Sequence, residues 1–135
     1  MPKLTDWETR LTAQVTQAHS RPFAWGSHDC CLWAADCVQA QTGIDHAADV
    51  RGTYATARES VAVLDGMGGL EGVGERLGKS IPPLMATHGD IGIVEIDGRD
   101  MLALCNGDHW LVCATHGLVT VSLEMASCAW KVAHG

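Results

Sequence analysis

The sequence predicts an α+β fold in which N-terminal helices pack on a C-terminal antiparallel β-sheet. Three observations point there. Apolar residues recur at helical spacing as far as about residue 77, and five short β-rich runs separated by turn dipeptides fill the stretch from about 91 to 132. The chain is also 47% hydrophobic over 135 residues, enough for a core of its own. No internal repeat, low-complexity tract or linker interrupts it, so residues 1–135 read as one domain.

The first helix is expected over about residues 6–19, with Thr5 and Glu8 spaced as a capping box and Trp7, Leu11, Val15 and Ala18 on one face. Pro22 and Gly26 then impose a loop. Asp29 is a good N-cap for a second helix, in which Cys30, Trp33, Ala34, Cys37 and Val38 share a face and Gly43 closes the C-terminus. A third helix is expected from about Tyr54 to Leu64. After the flexible Gly66-Met67-Gly68-Gly69 run a short fourth follows, near Leu70 to Leu77, and Pro82-Pro83 ends the helical half. Strands are expected at Ile91–Ile96, Met101–Cys105, His109–Thr115, Leu118–Leu123 and Cys128–Val132. The separators Asp97-Gly98, Asn106-Gly107 and His116-Gly117 are hairpin signals, so consecutive strands should form a meander.

Charge excludes some functions. With nine Lys and Arg against sixteen Asp and Glu, the net charge of -7 repels nucleic-acid phosphates, and no basic cluster offsets it. No apolar run reaches the length of a signal peptide or of a membrane span, which leads to an expectation of synthesis and folding in a cytosol. The six cysteines, at 30, 31, 37, 105, 113 and 128, are then expected as free thiols. Cys30 and Cys31 are adjacent on a helix, where side chains diverge by about 100°. No CxxC pair or HxxxH spacing signals zinc, so no metal or cofactor is expected; convergence of distant cysteines on a metal or cluster is a distant alternative.

The chemistry centres on Cys30. A thiol in the first turn of a helix meets the partial positive charge of unsatisfied N–H groups, which favours thiolate, the form a nucleophile needs. The same position also suits a small buried apolar residue, the usual role of a free cysteine.

The run Pro22-Phe23-Ala24-Trp25-Gly26-Ser27-His28-Asp29-Cys30 resembles the aromatic, Trp-Gly, Asp-Cys signature ahead of the nucleophile in NlpC-type cysteine peptidases of the papain-like superfamily. Gly89-Asp90 before a strand resembles that family's step into its sheet. Nearly the whole chain is similar to a phage and prophage branch of NlpC-like proteins associated with tail genes, including Gly52-Thr53-Tyr54 and Ala129-Trp130-Lys131-Val132. The resemblance implies a papain-like NlpC-type fold with Cys30 as nucleophile and Trp25 and Asp29 at the binding cleft. It also implies phage tail proteins as partners, a peptidoglycan peptide as the substrate class, and residence in the bacterial host cytoplasm during assembly, then in the virion tail.

One departure stands against catalysis. Active members carry a histidine base at the opening of the strand after the Gly-Asp strand, and this chain reads Asp100-Met101-Leu102-Ala103-Leu104 there, with Met101 in the base position. A cysteine nucleophile relies on such a base to activate it and to protonate the leaving amine. His109, which opens the next strand, is the preferred substitute, followed by His28 and His88; His19, His46, His116 and His134 read as surface residues. Asp29 caps its helix and has a second potential role in orienting a base. The expectation is a tail tip or tail assembly component with degenerate or weak catalysis; the alternative is an active endopeptidase or amidase cleaving peptidoglycan stem peptides.

Overall fold

The computed structural model describes residues 2–133, so the reading of His134 lies outside the described residues. Four helices, α1 (Trp7–Ala18), α2 (Cys30–Thr42), α3 (Ala57–Met67) and α4 (Gly69–Leu77), precede the sheet. Six strands follow: β1 (Lys79–Ile81), β2 (Ile91–Ile96), β3 (Arg99–Cys105), β4 (His109–Ala114), β5 (Gly117–Ser122) and β6 (Ala126–Lys131). The class is α+β.

Helix α2 is central. Its sequence, CCLWAADCVQAQT, has no lysine, arginine or glutamate, and nine of its thirteen residues are buried rather than the single stripe predicted. Two polar residues inside it find partners: Asp36 meets Arg51 at 2.7 Å, and the Gln41 side-chain amide donates to the carbonyls of Cys37 and Gly89, while Gln41 Oε1 accepts no bond among the described residues. Asp29 and Gly43 cap its two ends as expected, Gly43 at φ 79°. At α1 the expected Thr5 cap does not form; Asp6 occupies the N-cap position and makes no side-chain capping bond. Helix α3 starts at Ala57 rather than Tyr54, because Thr56 accepts from Glu59 N–H at 3.1 Å while the Glu59 carboxylate accepts from Ala55 N–H at 2.9 Å.

The strands form one antiparallel sheet in the order β1-β6-β2-β3-β4-β5. Strands β2 to β5 are the predicted meander. The last strand departs from it, returning across the sheet to lie between β2 and β1, and β1 itself falls between the expected end of the fourth helix and Pro82-Pro83, where no strand was expected. Asp90 fixes this return. Fully buried, it accepts from Thr87 N–H, from Lys131 Nζ at 2.8 Å and from Val132 N–H at 3.1 Å, tying the start of β2 to the end of β6.

Both faces of the sheet are buried. Ile91, Ile93, Leu102, Leu104, Leu111, Cys113 and Trp130 pack toward the helices; Val94, Ala103, Cys105, Trp110, Val112 and Ala129 form a second, smaller core. Trp110 lies over Gly92, where any Cβ would be 2.6 Å from its ring.

Candidate functional site

The loop before α2 is built around Asp29. One carboxylate oxygen accepts from Leu32 N–H at 2.9 Å, which is the helix cap; the other accepts from Gly26 N–H at 3.1 Å and from the Tyr54 hydroxyl at 2.6 Å. Three donors occupy this buried carboxylate, so its role is to hold the loop and the helix start. Gly26 sits at φ 84°, and a Cβ there would be 1.9 Å from the Tyr54 carbonyl oxygen, so the Trp-Gly step is the close approach of two backbones. Burial, then the bond to Asp29, pushes the Tyr54 hydroxyl far above its ordinary pKa, leaving it a fixed donor. Trp25 is half-buried and stacks edge-on against Phe23, ring centroids 4.8 Å apart.

Cys30 thereby becomes the first residue of α2 and lies where the sheet divides. Strands β3 and β4 pair at Leu104–Leu111 and Cys105–Trp110 and no farther, although β3 begins at Arg99. In that gap Cys30 packs against the second core, beside the cluster that Met101 also borders. Its sulfur is 3.9 Å from that of Cys31. The Cys31 thiol hydrogen bond lowers the Cys30 pKa most; burial opposes this, and the backbone N–H groups of Leu102 and Cys31 add to the lowering. Cys31 moves the other way, its thiol raised by the same hydrogen bond and by burial. Cys30 is therefore the more acidic of the two thiols, and the expected divergence of the two side chains does not hold at the sulfurs. Burial pushes Cys113, whose sulfur faces the His28 carbonyl, up to about 12.

The histidines lie elsewhere. His109 is exposed, and its N–H donates to Asn106 Oδ1 at 2.7 Å. It stands four residues from Cys113 along β4, about 13 Å at strand rise. His88 stacks on Trp7 beside Gly89, which is bonded to Gln41 near the far end of α2, so most of a helix of about 20 Å separates it from Cys30. His28 is buried with Nδ1 unpartnered, and burial lowers its pKa. His19 and His116 are exposed, while His46 is partly buried and lines an apolar cavity with Cys31, Tyr54, Val63, Leu64 and Met67. Among the described residues no histidine hydrogen-bonds Cys30, and no group of three or more His, Cys, Asp or Glu side chains is arranged to hold a metal ion.

Sequence reasoning missed Tyr54 and the Cys31 thiol as members of the site. Tyr54 lies 25 residues from Asp29. A helix starting at Tyr54 hides it, although Gly52-Thr53-Tyr54 is part of the resemblance. For Cys31 the adjacency to Cys30 was itself the signal.

An α+β domain with a cysteine opening its central helix against an antiparallel sheet is the class that fold and site define. The chain belongs to the family described as Domain of unknown function (DUF6950), whose model matches residues 2–132. No curated protein gives a significant match.

Proposed function

We propose that this protein is a component of a phage tail tip, or of tail assembly, built on a papain-like NlpC-type fold whose peptidase chemistry is weak or lost. The observation that carries the reading is the surroundings of the Cys30 sulfur. It lies at a helix N-terminus against β3, near the segment that bears the base in the family this chain resembles, and its side-chain partner is a second thiol. Met101 borders the same cluster, and on the resemblance it is the residue that takes the place of the base, with no proton to exchange. Loss of a general base costs about 10²- to 10⁴-fold in rate, and a thiolate alone cannot protonate an amine leaving group. Contact with tail proteins draws support from Leu84, Met85 and Met125, exposed apolar residues on the two short turns that close the second core.

The lowered Cys30 pKa favours the second reading, an active endopeptidase or amidase on peptidoglycan stem peptides. One experiment separates the two: wild type and Cys30→Ala are incubated with purified peptidoglycan and tested for complementation of infectious particles. The tail reading expects no Cys30-dependent cleavage and full complementation by Cys30→Ala. Robust cleavage lost in the variant establishes the peptidase instead.

A further inference from the structure

The Cys30–Cys31 pair is more than a nucleophile position with its base removed. A lone thiol at a helix N-terminus has no built-in second step, whereas this one has another sulfur at 3.9 Å. Both residues are partly exposed, as is Cys128, while Cys37, Cys105 and Cys113 are buried. The backbone N–H groups of Leu102 and Cys31 support negative charge on the Cys30 sulfur. A cysteine thiolate with some access to solvent and a neighbouring thiol is the arrangement that distinguishes peroxide-reactive cysteines from inert ones.

We propose that Cys30 and Cys31 form a peroxide-reactive dithiol, in which Cys30 is oxidised and Cys31 resolves it to a vicinal disulfide. In the first step the Cys30 thiolate attacks one peroxide oxygen and the O–O bond breaks; sulfur is oxidised to the sulfenic acid, and the departing hydroxide takes a proton from solvent. In the second the Cys31 sulfur attacks the Cys30 sulfur as the S–O bond breaks, and the leaving hydroxide accepts the Cys31 proton. Two thiols and one hydrogen peroxide thus give one disulfide and two waters. The chemistry needs neither a histidine base nor a peptide substrate.

The product has a defined character. Neighbouring Cα atoms are about 3.8 Å apart, below the range from about 4.4 Å in which disulfides usually sit, so the bond strains the first turn of α2 and is readily reduced. Formation of the ring also displaces the Leu32 N–H that Asp29 caps, which couples oxidation to the Asp29–Tyr54 knot.

Substoichiometric to equimolar hydrogen peroxide, followed by thiol titration in denaturant and tandem mass spectrometry of the peptides, tests this. The wild type should lose two of its six thiols and two hydrogens of mass, localised to Cys30 and Cys31 and restored by mild dithiothreitol. Cys31→Ser should instead trap a dimedone-reactive sulfenic acid on Cys30, and Cys113→Ser should behave as wild type. A disulfide joining Cys30 to Cys113, or thiols that all react at similar rates, overturns the proposal. The wild-type result alone decides it should a variant fail to fold.

Discussion

Asp29 shares two oxygens among three donors, and each donor belongs to a different part of the chain: the turn at Gly26, the first turn of α2 and the segment leading to α3. Asp29→Ala removes a cap and leaves two further donors unmatched in a buried place, so it should cost about 2–4 kcal/mol in urea unfolding. Tyr54→Phe should cost about 1–2 kcal/mol, and the double variant should fall short of the sum by about 1 kcal/mol, the sign of a shared interaction. Full additivity contradicts the knot. His28 supplies a pH dependence. Its folded pKa is lowered from the usual value near 6.5, mainly by burial, so as pH falls through about 6.5 the unfolded chain takes up the proton first and stability is lost. The urea midpoint should decline between about pH 7.5 and pH 5.5, and less steeply in His28→Gln; parallel slopes rule this out. At this scale the helix cap and the place of Cys30 at the helix start were legible because both are local: a residue type and its place relative to a helix start. The second donor set on Asp29 was not, since a long-range hydrogen bond leaves no spacing in the sequence.

Among the elements, α2 is held from all sides while α3 buries Ser60 alone and otherwise rests Val63, Leu64 and Met67 over the apolar cavity. Helix α3 therefore depends on its ends. Its Thr56–Glu59 capping box is a visible sequence signature that places the start of the helix correctly, and the expected start at about Tyr54 left it unused. Thr56→Ala should cost about 1 kcal/mol and speed amide exchange in residues 57–67 before it affects α2 or the sheet. Uniform acceleration across the molecule contradicts a loosely held α3. Gly74 shows the opposite case, a glycine inside a helix kept because a Cβ would be 2.4 Å from the Trp130 ring.

For the whole molecule, the order of helices and strands was readable from periodicity, and so was the meander from β2 to β5. The return of β6 to the far side of β2 was not. Hairpin dipeptides report neighbours joined by short turns, and the contacts that place β6 are made by Asp90 with Lys131 and Val132, some forty residues away. The gap between β3 and β4 was likewise hidden, since both strands look regular in sequence. That gap is where Cys30 lies, and the account rests on its sulfur being activated by backbone N–H groups and a second thiol, with no imidazole. The rate of Cys30 alkylation by iodoacetamide, followed against pH in wild type and in His109→Ala, tests this most directly. The account predicts one inflection below the usual thiol value of about 8.5, identical in the two proteins. A second inflection in the histidine range that disappears in His109→Ala contradicts it and establishes a working Cys30–His109 dyad.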